Sequence, residues 1–156
     1  MEPIIIQMNE LFIAGLTGNV TETEKVWNEI ELQFDKNPFQ KIDDNIYKIH
    51  FFDGINNVNP QKEIHVGYLV ENCNVIDNFS IIKIPASEYA VFDVFVSNGY
   101  DSENNNMEKW LLDNNKKYSQ IELNGNNFVI ECYNEKFNGG DKPDSIVEIW
   151  IPIKRL

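Results

Sequence analysis

The sequence predicts an α+β fold in which duplicated β-α-β-β units form one antiparallel sheet with two helices on one face. Two observations predict it. The order strand, helix, strand, strand occurs twice at a spacing of about half the chain, and each half carries one helical stripe of apolar residues. We therefore expect a single domain over 1–156, built from pseudo-repeats of approximately 1–76 and 77–156.

Each half opens with an apolar segment that a short polar break interrupts. The segment 4–16 has its break at 9–10, and the segment 81–96 has its break at 85–87. Apolar runs of this kind are typical of buried strands, and Pro or polar residues within them indicate a local distortion. Each segment is therefore predicted to be one strand, bent or bulged near its break.

A helix is predicted after the opening strand of each half. The first begins at 21–24, where Thr-Glu-Thr-Glu matches a capping box. The apolar residues that follow lie on one helical stripe: Val26, Trp27, Ile30 and Phe34. In the second half Met107, Trp110 and Leu111 have the same spacing, and the Asn run 104–106 predicts a short helix because Asn is a weak helix former.

Two strands close each half. They are predicted at 46–52 and 63–71 in the first half, and at 128–133 and 146–153 in the second. The connections 53–61 and 134–144 are rich in Gly, Asn, Asp and Pro, which favour turns and loops. The bridge 72–78 is short and polar, so we expect the two halves to move as one body.

The formal charge of −12 excludes some classes of partner and favours others. A strongly acidic surface repels phosphate backbones and anionic lipids, so we expect neither direct nucleic-acid binding nor membrane binding. The charge favours a cationic ligand or a basic protein partner, or it reflects an ordinary solvated surface without a specific partner.

The N-terminus has no signal-peptide pattern, and a cytoplasmic location is predicted. Cys73 and Cys132 form no CxxC pair, which predicts free thiols and no metal site.

Glu148 is the sequence's most informative residue because it interrupts an otherwise apolar final strand. Alternation sets it on one face with Trp150, and a carboxylate in that position needs a partner. We expect it to face a ligand rather than an internal Lys or Arg. Its counterpart in the first half is Gly67, and a Gly inside a strand indicates either a close approach at a cleft or a simple bulge.

Further candidate ligand-binding residues surround this strand. Glu131 and Tyr133 share one face of the preceding strand, and Tyr68 and Trp110 are additional aromatic candidates. Ring faces attract organic cations, and a nearby carboxylate adds charge complementarity. Taken singly, most of these aromatics are expected in the core. The sequence has no catalytic triad, and a carboxylate such as Glu131 or Glu148 acting on water is the catalytic alternative left open.

Four segments carry a resemblance to a known family. They are 81–92 (IIKIPASEYAVF), 110–111, the segment from Glu131 to Glu135, and 144–153 (DSIVEIWIPI). In this order they resemble the GyrI-like effector-binding domain family, which also supplies the ligand domains of multidrug-responsive and AraC-type bacterial transcription regulators. The resemblance is strongest in the second half.

The resemblance implies a groove between the halves that binds small, often cationic and aromatic, molecules. It places Glu148 in that groove as the family's final-strand glutamate and carries over four groove aromatics: Tyr68, Trp110, Tyr133 and Trp150. It further implies a stand-alone binder without cofactor. Some relatives are associated with gyrase inhibition and others with hydrolysis of cyclopropane-bearing compounds. A protein partner, either a regulator or gyrase, and a hydrolase therefore remain alternatives, although the residues favour binding over catalysis.

Overall fold

The computed structural model describes residues 2–52, 63–74 and 76–156. The predicted loop 53–61 lies outside the described residues, as does part of the predicted bridge 72–78. None of the described helices is long and apolar enough to cross a membrane.

One antiparallel sheet and two helices make up the described fold, which confirms the predicted α+β class. The helices are α1 (Thr23–Lys36) and α2 (Tyr100–Asp113). The first five strands are β1 (Ile4–Met8), β2 (Leu11–Asn19), β3 (Ile46–Phe52), β4 (Glu63–Val70) and β5 (Ser80–Ile84). The second five are β6 (Ser87–Phe95), β7 (Tyr118–Gln120), β8 (Glu122–Leu123), β9 (Asn126–Tyr133) and β10 (Ile146–Arg155).

The strand order places the two halves symmetrically about the β3–β9 pair. It runs β1-β6-β10-β9-β3-β4-β2-β5, with β7 beside β10 and β8 beside β9. At the centre Tyr47 pairs with Cys132. Tyr47 also pairs with Gly67 on β4, and Cys132 pairs with Glu148 on β10. Gly67 and Glu148 therefore occupy equivalent positions in the two halves.

The polar breaks separate strands, so the prediction of one bent strand per segment is wrong. After Met8 the chain leaves β1 and enters β2, which belongs to the opposite side of the sheet. β1 pairs with β6 of the second half, with Ile4 opposite Val91, and β5 pairs with β2 of the first half, with Leu11 opposite Ile84. Each half thus supplies its opening strand to the other half.

Both helices differ from the prediction, the first in its start and the second in its length. The side chain of Asn19 accepts a hydrogen bond from the Thr21 amide at 3.0 Å and caps a 3-10 turn, Val20–Glu22, that precedes α1. The Thr21 hydroxyl donates to Asn19 Oδ1 at 3.0 Å and no side chain in the described part of the chain caps the start of α1, so the predicted capping box is not formed. Helix α2 has 14 residues, the same length as α1, because packing of its inward side outweighs the low helix propensity of Asn.

The sheet has a helix face, covered by α1 and α2, and an opposite face, which carries a core of its own. Under α1, Val26 and Ile30 pack on Ile64 and Val66 of β4. Under α2 a second cluster includes the inward residues of β10: Val147, Ile149, Ile151 and Ile153. Twelve buried residues of both halves form the opposite core: Leu11, Ile13, Tyr47, Ile49, Phe51, Leu69, Ile84, Tyr89, Phe128, Ile130, Cys132 and Trp150.

A glycine pair draws β2 and β4 together. Gly15 lies opposite Gly67, and a Cβ atom added to Gly67 would stand 2.1 Å from the carbonyl oxygen of Ala14. A Cβ on Gly15 would meet the Val66 carbonyl oxygen at 1.9 Å. Only residues without a side chain allow the two backbones to come this close. The close backbone approach at Gly67 therefore lies within the first half, between β2 and β4, and not at a cleft between the halves.

Candidate functional site

Alternation along β9 brings a carboxylate and a phenol onto the helix face. Ile130 and Cys132 belong to the opposite core, so Glu131 and Tyr133 project toward the helices. The Tyr133 hydroxyl donates a hydrogen bond to Glu131 Oε1 at 2.8 Å. Lys48, directly across the β3–β9 pair, holds its Nζ 3.4 Å from Glu131 Oε2. Glu131 is buried, so both of its oxygens are engaged in a poorly hydrated setting.

Each helix adds an aromatic ring at this place. Trp27 of α1 makes an edge contact with Tyr133, at a ring-centroid distance of 4.9 Å and an interplanar angle of 85°. Tyr100, the first residue of α2, interacts with the Tyr133 hydroxyl and with the charge of Glu131. We call the set Trp27, Lys48, Tyr100, Glu131 and Tyr133 the inter-helix cluster. It joins both halves of the chain, because Trp27 and Lys48 come from the first.

The charge of Glu131 and burial act together on the two phenols. Burial raises the pKa of Tyr133, and the neighbouring Glu131 carboxylate raises it further. Burial and the Glu131 charge also raise the pKa of Tyr100, while its interaction with Tyr133 lowers it. Both phenols therefore stay neutral hydrogen-bond donors at physiological pH. A buried negative charge beside aromatic rings is the arrangement that favours an organic cation.

Glu148 does not belong to this cluster, which corrects the main expectation from the sequence. It lies on the opposite face, where Trp150 Nε1 donates to its Oε1 at 3.0 Å. Its Oε2 accepts from Asn134 at 3.0 Å and lies 2.7 Å from Lys136 Nζ. Burial would raise the pKa of Glu148, but the bonds from Lys136, Trp150 and Asn134 hold it below its ordinary value. The carboxylate thus has an internal basic partner, Lys136, contrary to the expectation that it faces a ligand.

Trp150 and Gly67, also predicted to line the ligand groove, lie on that opposite face. The indole of Trp150 packs between two phenol rings, with centroid distances of 5.8 Å to both Tyr47 and Tyr89. Gly67 is closed by the backbone of β2, as described above. The expectation that these residues share one groove with Glu131 and Tyr133 is therefore wrong, because a sheet separates the two sets.

Tyr68 and Trp110 lie on the helix face, but within the cores under the helices. Tyr68 is buried, with its ring centroid 4.8 Å from that of Phe34 on α1. Trp110 is buried on α2 and stacks on Tyr118 at 5.7 Å. Both rings make the contacts expected of core aromatics, in line with the interpretation that the sequence analysis gave for most aromatics taken singly.

Three members of the cluster were not singled out as ligand-binding residues from the sequence. Trp27 was assigned to the apolar stripe of the first helix, and Tyr100 precedes the residues that were used to predict the second. Lys48 could have been found, because alternation between the apolar residues Tyr47 and Ile49 places it on the other face of its strand. Its pairing with Glu131 depends on the β3–β9 register, which no local pattern specifies.

Helix α2 brings a second carboxylate close to the cluster. Glu103 lies one helical turn after Tyr100 and shares the buried side of α2 with Met107 and Trp110. In the described parts of the chain its side chain makes no hydrogen bond or ion pair. Among the same residues no group of three or more His, Cys, Asp and Glu side chains is arranged to hold a metal ion.

A surface hollow of about 540 Å³ lies elsewhere, along the outer side of α1. Its lining is mostly polar and exposed and consists of Thr21, Glu22, Glu24, Lys25, Asn28, Glu29 and Leu32. All seven residues come from one short segment, so within the described residues no second element faces the hollow. The inter-helix cluster is the stronger candidate site, because it combines a buried charge with rings from three elements.

Comparisons with known proteins give one family and several similar folds. A sequence profile of the Cass2 family, the integron-associated effector binding proteins, matches residues 5–153. The fold is similar to that of SAV2435 bound to tetraphenylphosphonium, with a TM-score of 0.72, 14% identity, and 99% of this chain and 94% of that chain covered. It is also similar to the EcmrR C-terminal domain, with a TM-score of 0.69, 15% identity, and 99% and 98% covered.

The chain also resembles part of EcmrR as seen in a complex with DNA. That similarity has a TM-score of 0.73 and 14% identity, and it covers 99% of this chain and 58% of that chain. A comparison with curated protein sequences gives no match.

Proposed function

This chain belongs to the family of integron-associated effector binding proteins, and we propose that its effector is a small cationic aromatic molecule bound at the inter-helix cluster. The family agrees with the effector-binding resemblance carried by 81–92 and 144–153. The observation that carries the proposal is the buried carboxylate of Glu131 beside the rings of Trp27, Tyr100 and Tyr133.

The chemistry of the cluster supports a ligand with a delocalised or quaternary positive charge. Such a cation loses little hydration energy on entry, and the faces of Trp27 and Tyr133 together with the charge of Glu131 replace its water. The overall charge of −12 draws cations toward the protein from solution. SAV2435, which has a similar fold, is known with tetraphenylphosphonium bound, and this supports the same ligand class here.

We propose that a ligand reaches the cluster at the start of α2. Tyr100 is 42% exposed and Glu131 is 7% exposed, so the cluster combines a ring at the surface with a buried carboxylate. We expect a ligand to enter beside Tyr100 and to stack against the rings above Glu131. Its contacts would be ring faces and one charge rather than directed hydrogen bonds, so the site should accept several cations of different shape.

Two isosteric substitutions on opposite faces of the sheet test the proposal. We expect wild-type protein to bind tetraphenylphosphonium in isothermal titration, and Glu131→Gln to weaken binding by about 1–3 kcal/mol because it removes the buried charge. Glu148→Gln is the matched control and should leave the affinity within about 0.5 kcal/mol, since Glu148 lies across the sheet. Equal affinities for wild type and Glu131→Gln would reject the site.

A further inference from the structure

Lys48 introduces a positive charge into a site proposed to bind cations. Its Nζ lies 3.4 Å from Glu131 Oε2, and the two side chains are only 12% and 10% exposed. Of the seven ion pairs within the described parts of the chain, this one is the most enclosed. The second oxygen of Glu131 accepts from Tyr133, so the carboxylate has no open oxygen before a ligand arrives.

Stability alone gives a weak reason for a lysine in this position. Removing two charges from water costs free energy that their attraction only partly offsets, and apolar pairs of similar size are often more stable. The neighbours of Lys48 on the β3–β9 pair could accept such a replacement, since Ile46 and Val129 already pack in the apolar clusters of the helix face. A role in ligand selection explains the charge better.

We propose that Lys48 makes the site selective for ligands that carry an anionic group beside their cationic centre. The inference rests on the function proposed above. A ligand with only a positive charge must displace the Lys48 ammonium from Glu131 and leave it unpaired in a poorly hydrated place. A zwitterionic ligand instead re-forms both pairs, its cation with Glu131 and its anion with Lys48. The site then discriminates against purely cationic ligands, because their binding leaves the Lys48 ammonium without a partner.

Two dyes that differ in one group provide the test. A rhodamine with a free carboxylate is zwitterionic, whereas its methyl ester has the same ring system and a net positive charge. We expect wild-type protein to bind the free acid at least about tenfold more tightly than the ester in a fluorescence titration. Lys48→Met should reverse this preference, with the ester gaining about tenfold and the acid losing affinity.

Matched variants separate selection from damage to the fold. Lys83→Met removes a lysine that pairs with Glu10 at the exposed surface, at 3.4 Å, and should leave the ratio of the two affinities unchanged. Lys48→Arg keeps the charge and should keep the preference for the free acid. Thermal unfolding checks that each variant is folded. If Lys48→Met fails to fold, Lys48→Gln removes the same charge with a polar side chain and should likewise lose the preference for the free acid.

Two results would overturn the inference in different ways. If the ester binds the wild type more tightly than the acid, and Lys48→Met leaves the ratio unchanged while Glu131→Gln abolishes binding, the cation site stands and Lys48 does not select. If neither dye nor tetraphenylphosphonium binds the wild type, the proposed function fails, and the role of Lys48 fails with it.

Discussion

The indole nitrogen of Trp150 donates a hydrogen bond to Glu148, two positions away on the same strand, at 3.0 Å. Lys136 and Asn134 complete the surroundings of this carboxylate. We expect Glu148→Gln to lower the free energy of unfolding by about 2 kcal/mol, because it removes a partly buried charge that three donors stabilise. Urea unfolding measures the change. Glu10→Gln, which breaks an exposed pair with Lys83, should cost less than about 1 kcal/mol.

The pH dependence of this contribution has a definite sign. The pKa of Glu148 is lowered from its ordinary value of 4.5, so the unfolded chain takes up the proton first as the pH falls. The stability that the carboxylate contributes is therefore present above pH 4.5 and is lost as the pH falls through the folded-state pKa. An equal loss of stability in the wild type and in Glu148→Gln between neutral and acidic pH would contradict this assignment.

His65 is a buried histidine that the fold keeps neutral. Its Nε2 lies 3.0 Å from the Ile13 carbonyl oxygen and its Nδ1 lies 2.9 Å from the Thr17 hydroxyl. Burial lowers the pKa of His65 from 6.5 to about 4, although the bond to Ile13 opposes this. Between these two values the unfolded chain binds more protons, so stability falls as the pH falls through that window, by on the order of 3 kcal/mol.

A substitution isolates the His65 contribution from that of the carboxylates. In His65→Gln the fall in stability between pH 6.5 and about 4 should be reduced, even though the variant is less stable at neutral pH. Urea unfolding of the wild type and of His65→Gln at a series of pH values measures the two slopes. Parallel slopes for the two proteins would show that His65 does not titrate in this way.

Tyr47 and Tyr89 both pack against the indole of Trp150 but differ in the hydrogen bonding of their hydroxyl groups. Tyr47 donates to Asp43 at 2.8 Å, whereas the fully buried Tyr89 hydroxyl has no hydrogen-bond partner in the described parts of the chain. We expect Tyr89→Phe to raise the unfolding free energy by about 1 kcal/mol, because it removes an unsatisfied polar group. Tyr47→Phe should lower it by about 1 kcal/mol. Calorimetric unfolding of both variants tests the contrast, and destabilisation by Tyr89→Phe would refute it.

The glycine pair predicts a large effect from a single methyl group. In Gly67→Ala the new Cβ would overlap the Ala14 carbonyl oxygen, so β2 and β4 must move apart, at a cost of at least about 2 kcal/mol. Gly140→Ala is the matched control, since a Cβ there has no heavy atom within 4 Å. Chemical denaturation should therefore separate the two variants clearly. Similar denaturation midpoints for Gly67→Ala and Gly140→Ala would mean that β2 and β4 can move apart at a smaller cost than their close spacing indicates.

Local patterns in the sequence predict much of this fold and part of its site. Alternation locates β3, which has the predicted bounds of 46–52, and it correctly sets Glu131 and Tyr133 on one face. Such patterns do not predict which side chains contact each other in the folded chain. The partner of Glu148 is Lys136, in the connection between β9 and β10, and periodicity does not describe the path of a connection. The helix partners of Tyr133 depend on packing in the same way.

The placement of β1 and β5 has a consequence for how such a sheet can be assembled. Neither repeat contains its own edge strand, since β1 completes the side built around β6 and β5 completes the side built around β2. A polypeptide consisting of one repeat would leave the backbone N–H and C=O groups of one strand unpaired. A strand from a second molecule could pair with them. Two identical short chains could reproduce the same architecture by mutual strand donation, and fusing them end to end would yield the arrangement seen in this protein.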